Sequence, residues 1–242
     1  MQRYFVEQDT IRNGRCHIQG GDLHHIRDVM RFRPGVAVII SVTDGPTYAG
    51  TVEAISRDEA VIMLKDKILS DVPEYSLTVA QAVIRKERFE LFLEKATEFG
   101  VTKIIPTIFN RTIVKIEGEK EDRKLLRYQA IVKEAAEQSQ RHEIPGIQPF
   151  TKLSDIDFSA YDKVLVCYEQ EAMTNHIHNV IPQLDQKERI LIVVGPEGGI
   201  SPEEVSFMKA YGALFVSLGH RIFRSESAGL MILAAFMYEW GI

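Results

Sequence analysis

The stretch Gly195-Pro196-Glu197-Gly198-Gly199 is entered from Ile190-Leu191-Ile192-Val193-Val194 and left through Ile200-Ser201-Pro202-Glu203-Glu204. Its reading decides the fold class. The apolar run is short, continuous and rich in β-branched residues, as expected of a strand covered on both faces of a parallel sheet. After the glycines, Ser201 is placed to cap a helix, Pro202 suits its first turn, and Glu204 completes a capping box. Glycines at a strand-to-helix junction let backbone N–H groups approach a ligand closely. A plain strand-to-helix turn is the alternative reading.

A second stretch repeats the arrangement. Leu218-Gly219-His220-Arg221-Ile222-Phe223-Arg224-Ser225-Glu226-Ser227-Ala228 joins an expected last strand, Leu214 to Leu218, to an expected last helix, Ser225 to Trp240. Ligands of α/β sheets gather at the carboxyl ends of strands, where both stretches fall. Arg224 beside a helix N-terminus is disfavoured by the helix dipole unless an anion accompanies it. Glu197, Glu226 or a phosphate are the candidates.

Outward from these stretches, the region 74–242 alternates strands and helices. Strands are expected at Leu77 to Ile84, around Ile104-Ile105, and at Lys163 to Tyr168. Helices are expected at Lys86 to Phe99, Glu121 to Gln140, Thr174 to Ile181 and Pro202 to Tyr211. Gly100 ends the first of these in a left-handed conformation. The final helix is apolar almost all round, so it needs cover from its own domain or from a second subunit.

Residues 1–70 read differently, as short strands with one helix, Leu23 to Arg31. Strands are expected around Tyr4-Phe5-Val6, at Cys16-His17-Ile18, Val36 to Val42, Thr47 to Ile55 and Ala60 to Leu64, with a turn at Asn13-Gly14. This suggests a small barrel, followed by a linker over Lys65 to Glu74.

The chain has 242 residues, 45% apolar and 26% charged, with a net charge of −5. Such a balance argues against wholesale coating of nucleic acid. The charge is uneven, however: residues 1–33 hold six Arg and three His against four acids. That allows a local basic face. Arg3, Arg12, His24, His25, Arg27 and Arg31 are its candidate members, with Arg111 and Arg141 further along. Cys16 and Cys167 form neither a disulfide framework nor a metal cluster, and no metal-ligand spacing is present. No apolar segment reaches a membrane span and Met1-Gln2-Arg3-Tyr4 lacks a signal-peptide core, which implies a cytoplasmic protein without a membrane partner.

The two glycine stretches together resemble the second and third motifs of the SPOUT methyltransferases. More narrowly they resemble the RsmE family of 16S ribosomal RNA uridine N3-methyltransferases. Lys95-Ala96-Thr97-Glu98-Phe99-Gly100-Val101 with Ile104-Ile105-Pro106 is similar to that family's first motif. Glu134-Ala135-Ala136-Glu137-Gln138-Ser139-Gln140-Arg141 with Ile144-Pro145 matches it too. Phe223 and Ser227 depart mildly, standing where Leu and Thr are common.

The resemblance implies an α/β fold with a trefoil knot over 74–242 and a PUA-like β-barrel that binds RNA over 1–70. It implies a homodimer, S-adenosylmethionine as cofactor, and 16S ribosomal RNA, within the 30S subunit, as partner. It also implies a cofactor pocket of Glu169, Val194, Gly195, Glu197, Gly198, Gly199, Leu218, Gly219, Ile222 and Phe223. Methylating C5 of a uracil usually needs a cysteine nucleophile. Methylating N3 needs only loss of the imide proton and alignment. No cysteine is placed for the former, because Cys167 falls in a strand pattern. Arg224 is therefore expected to stabilise the imide anion, oriented by Glu197. A non-catalytic RNA-binding dimer and a ribose 2′-hydroxyl methyltransferase of the same fold are the competing readings. Intact glycine turns argue against the former, and only the family match argues against the latter.

Overall fold

The computed structural model describes residues 1–69, 74–114, 118–170 and 175–242. Contacts divide the chain into two units, Met1–Val72 with Ala136–Ile144, and Pro73–Ala135 with Pro145–Ile242.

In the first unit β1 (Gln2–Val6), β2 (Ile11–Arg12), β3 (Arg15–Ile18), β4 (Ala37–Val42), β5 (Thr47–Ile55) and β6 (Ala60–Ile68) form one sheet in the order β1-β4-β5-β6-β3-β2. Only β1 and β4 run parallel. Asn13 and Gly14 both have positive φ (50° and 73°), the combination a two-residue hairpin needs, and they set Arg12 opposite Arg15. Register shifts in β5 at Tyr48/Gly50 and Val52/Ala54 bend the sheet. Tyr4, Cys16, Ile26, Val38, Ile40, Val52 and Ile62 consequently meet in one core. The expected barrel is thus a sheet curled around that core, with β1 and β2 as its two ends.

Two boundaries need correction. β6 continues to Ile68, so Lys65-Asp66-Lys67 is strand, and residues 70–73 of the expected linker lie outside the described residues. The helix expected at Leu23 to Arg31 starts earlier, as α1 (Gly20–His24), and passes into a π-helical turn over His25–Val29. From the later segment of this unit, buried Glu137 accepts the Phe5 backbone N–H at 3.0 Å.

The second unit is built on parallel strands β7 (Ser76–Ala82), β8 (Lys103–Ile108), β9 (Gly146–Ile147), β10 (Thr151–Lys152), β11 (Lys163–Cys167), β12 (Arg189–Val194) and β13 (Leu214–Val216). Their order is β10-β8-β7-β12-β11-β13, with β9 also on β8. The short β9 and β10 carry no sequence signal and were not anticipated. The helices are α2 (Lys86–Glu98), α3 (Glu119–Gln138), α4 (Ile177–Val180), α5 (Pro202–Ala210) and α6 (Ser225–Trp240). α4 is shorter than expected, and Thr174 lies outside the described residues.

The apolar run of β12 is buried on both faces, as its composition predicts. Leu191 and Val193 join Ala80, Ala82 and Phe215 in one cluster, while Ile190 and Ile192 are fully buried between them in the alternate positions. Registers align Val216, Cys167, Val194, Gln81 and Pro106 in a row across the sheet. All loops at this edge therefore leave the sheet on one side, including those after Val194 and Val216. α6 packs on α2, β7 and β12.

Gly229, in the middle of α6, allows this approach. A Cβ there would lie 2.6 Å from Gln81 Oε1 and 2.7 Å from the Phe92 ring. Gly229→Ala should lower stability by about 1–3 kcal/mol despite the better helix propensity of alanine. Denaturant unfolding of the two proteins checks the sign.

Candidate active site

A buried hydroxyl ties the carboxyl edge together. Ser225, first residue of α6, donates to the Gly195 carbonyl at 2.6 Å and accepts from Gln81 Nε2 at 2.8 Å. The end of β7, the glycine turn and the start of α6 are thereby joined through one side chain. Beyond Gly195, the turn is also held from the β8 side. Ser201 and Glu204 form the capping box predicted for α5. The same two side chains take up Asn110: Glu204 Oε1 accepts its backbone N–H at 2.7 Å and Ser201 Oγ accepts its Nδ2 at 3.1 Å. Arg111 Nη1 donates to the Gly198 carbonyl at 3.1 Å. A Cβ on Gly198 would sit 3.1 Å from the Arg111 backbone oxygen, so this close approach favours glycine.

The acids are arranged differently from expectation. Glu197 does not pair with Arg224. It accepts from Arg88 Nη1 at 3.3 Å, and Arg88 Nε lies 3.7 Å from Glu226 Oε1. Arg224 is the exposed N-cap residue of α6, its carbonyl receiving the Ala228 N–H, and no described residue pairs with its guanidinium. Helix geometry explains the difference: Arg88 stands in the first turn of α2, facing the turn, whereas Arg224 precedes its own helix. The dipole reasoning that singled out Arg224 applies equally to Arg88 at the N-terminus of α2, and this signal could have found it. Asn110, the other residue missed, gives no comparable signal.

The expected cofactor residues fall into two groups. Glu169, Leu218, Gly219, Ile222 and Phe223 line one cleft of about 90 Å³ at the ends of β11 and β13, together with Cys167, Tyr168 and Ser217. Val194, Gly195, Glu197, Gly198 and Gly199 are not in its wall but form the neighbouring turn after β12. Glu169 links the two, because its Oε1 is 3.8 Å from where a Gly199 Cβ would be. Gly219 has φ +113°, a conformation that favours glycine, and its N–H donates to Ser217 Oγ at 3.2 Å. Ile222 is 85% exposed at the rim, an apolar side chain without cover. An apolar rim and one carboxylate, able to accept from hydroxyls, are groups that suit a nucleoside. Burial pushes the Cys167 thiol up to about 12, which disfavours the thiolate.

The candidate RNA-binding residues are spread unevenly. Arg3 requires correction: it is buried, with Nη1 donating to Ser41 Oγ at 3.1 Å, and burial lowers its pKa. Its place in β1 faces the interior, where no phosphate reaches. His25 Nδ1 is bonded to the Tyr4 hydroxyl at 3.0 Å. Arg27 grips Asp28 through Nε and Nη2 and the Arg57 carbonyl through Nη1, and His24 meets the same Asp28 at 2.7 Å. Hydrogen bonds from Arg27, then from His24, hold the Asp28 carboxyl down at about 2. Arg12 bonds the Asp9 carbonyl weakly, at 3.4 Å, and remains exposed, as does Arg31, which has φ +51°. Arg141 is half-buried, in the segment that belongs to the first unit. No group of His, Cys, Asp or Glu among the described residues could hold a metal, and no described helix is long and apolar enough to cross a membrane.

Comparison with known proteins places this geometry. Residues 72–237 match the model of the RNA methyltransferase domain, and residues 18–64 that of the RNA methyltransferase PUA domain. The ribosomal RNA small subunit methyltransferase E of Bacillus subtilis (strain 168) is 31% identical, over 99% of this chain and 97% of that protein. The protein of the same name from Mycobacterium bovis is 30% identical, over 90% of this chain and 84% of its own length. In fold, the chain is similar to the Neisseria gonorrhoeae ribosomal RNA small subunit methyltransferase E bound to S-adenosyl methionine. The TM-score there is 0.84 at 24% identity, covering 98% of this chain and 97% of the other.

Ser225→Ala would leave the Gly195 carbonyl and the Gln81 amide without their shared partner. It should cost about 1–3 kcal/mol, measured by chemical denaturation, with the loss largest at this edge in amide exchange.

Proposed function

This chain belongs to the ribosomal RNA small subunit methyltransferase E family, and we propose that it methylates N3 of a specific uridine in 16S ribosomal RNA, with S-adenosylmethionine as donor. It is an enzyme, an S-adenosylmethionine-dependent ribosomal RNA methyltransferase. The observation that carries the reading is the cleft at the ends of β11 and β13, adjoining the Gly195–Gly199 turn. Leu218, Ile222 and Phe223 would flank the adenine. Glu169 would hold the ribose hydroxyls, and the backbone at Gly219 and the turn would bond the remaining polar atoms. Val194, Gly195, Glu197, Gly198 and Gly199 would close the pocket from the side of β12. S-adenosylmethionine, when bound, supplies an electrophilic methyl group on a sulfonium.

The remaining chemistry falls to this chain's own side chains. A uracil attacking through N3 must lose its imide proton, and the charge left behind spreads to O2 and O4. Arg224, exposed beside the cleft loop and unpaired among the described residues, would place its guanidinium against that charge. Glu197, held by Arg88, would keep the turn in place rather than orient Arg224 directly. The high pKa of Cys167 supports attack by nitrogen over a route through a cysteine adduct at C5.

The strand order supports the knot that the family resemblance implies. β12 enters between β7 and β11, and the chain then crosses to β13 on the far side of β11. The α6 surface supports a homodimer: Met231 and Met237 are each 39% exposed and Tyr238 is 88% exposed on an apolar helix. In the first unit, Arg12 and Arg31 are the cations best placed for phosphates of the RNA, presented within the 30S subunit. Arg111 keeps free guanidinium nitrogens for the same purpose beyond the one on Gly198.

Arg224→Ala should reduce turnover by on the order of a hundredfold while S-adenosylmethionine binding, followed by calorimetry, changes little. Unchanged turnover would remove Arg224 from the mechanism. For the substrate, mass-spectrometric mapping of 16S ribosomal RNA from a strain lacking the gene should show one uridine unmethylated at N3. Adding the protein back should restore it, and a methyl group found instead on a ribose would refute the N3 assignment.

A further inference from the structure

Outside the two glycine stretches, one side chain touches both an acid of the turn and an acid of α6. Arg88 projects from the first turn of α2 toward Glu197 (3.3 Å) and Glu226 (3.7 Å). Glu226 is only 6% exposed, and its Oε2 has no hydrogen-bond partner among the described residues. A buried carboxylate so poorly satisfied depends on its nearest cation to stay charged. Arg88 is that cation, though its contact with Oε1 is longer than a hydrogen bond.

The location gives this contact a consequence for the reaction. Glu226 is the second residue of α6, and Arg224 is the N-cap of the same helix. Glu197 is the only acid of the Gly195–Gly199 turn. One guanidinium therefore sets the spacing between the turn and the start of the helix that presents Arg224. Ser225 fixes the same two segments by a neutral hydrogen bond to the Gly195 carbonyl, but this leaves the two acids uncompensated. Guanidinium is suited to the task, since its forked donors can meet two carboxylates at once, while an ammonium is a single point.

We propose that Arg88 is a positioning residue of the methyl-transfer reaction, neutralising Glu197 and Glu226 together so that the turn and the α6 N-terminus hold Arg224 over the reacting uracil. The inference rests on the proposed methyltransferase reading. It concerns the arrangement of the reacting groups and leaves cofactor recognition to the cleft of Glu169, Leu218 and Gly219.

The test is steady-state methyl transfer from labelled S-adenosylmethionine to unmethylated 30S subunits, with cofactor affinity from calorimetry. Arg88→Ala should lower kcat by about tenfold or more, with KM for the subunit and Kd for the cofactor within about threefold of the parent. Arg88→Lys, which retains the fold and the charge but reaches a single acid, should fall between the two. The double variant Arg88→Ala/Glu226→Gln removes the uncompensated charge and should recover at least about threefold of the lost kcat. Parent-like kcat in Arg88→Ala or in Arg88→Lys would overturn the proposal. So would a double variant no faster than Arg88→Ala, since a purely steric role would not respond to neutralising Glu226. A parent chain that transfers no methyl group would instead refute the methyltransferase reading, and with it this proposal.

Discussion

The second unit depends on bringing three chain segments to one point at the carboxyl edge of the sheet. β7, β12 and the start of α6 are far apart in sequence, yet Gln81, Gly195 and Ser225 meet there around a single hydroxyl. Such closeness is possible only where side chains are small or absent. Gly195 faces Ile200, and a Cβ there would lie 2.6 Å from it; Gly229 faces Gln81 and Phe92. Buried polar atoms so placed depend on one another for partners, and Gln81 Oε1 is left without one among the described residues. The Ser225 hydroxyl meets that demand for two partners at once, and the loops of the cleft start from the points it fixes.

Around this centre the polar network radiates outward with decreasing burial. The capping box of α5 also receives Asn110, so one helix start organises a loop from a different strand. Arg111 then reaches the Gly198 carbonyl, and Arg88 approaches the turn from α2. The turn is thus bounded by fixed groups on two sides and left open toward Glu169 and the cleft. A binding loop held in this way loses little freedom when it meets a ligand, so more of the interaction free energy remains for affinity.

Much of this was legible in the sequence, for identifiable reasons. The run Ile190 to Val194 is buried on both faces, and the signature Ser201-Pro202-Glu203-Glu204 forms the cap it spells, because both are local patterns. α6 has the expected limits, Ser225 to Trp240, and ends at Gly241, left-handed at φ +69°. What the sequence hid depends on tertiary placement. β9 and β10 are two residues each and exist only because the edge of β8 is available. Arg3 carries a charge, which suggests a surface, but its alternation in β1 turns it toward Ser41. Motif order brings Arg224 near Glu197 in the sequence pattern, whereas Arg88 is its partner in space. The pattern at Lys65-Asp66-Lys67 has the charge of a linker, yet cross-strand pairing with β5 keeps it in β6.

The hydrogen bond from the Phe5 amide to Glu137 has a consequence for dissecting the protein. β1 lies at an end of its sheet and draws this acceptor from a residue more than a hundred positions later, within the Ala136–Ile144 segment that groups with the N-terminal unit. The chain therefore contributes to that unit twice, before and after most of α3. A fragment cut after residue 72 would expose the Phe5 amide and the inner residues beside it on the strand. Its behaviour would then describe a truncated sheet rather than the whole N-terminal unit, which is encoded in two separate pieces of the chain.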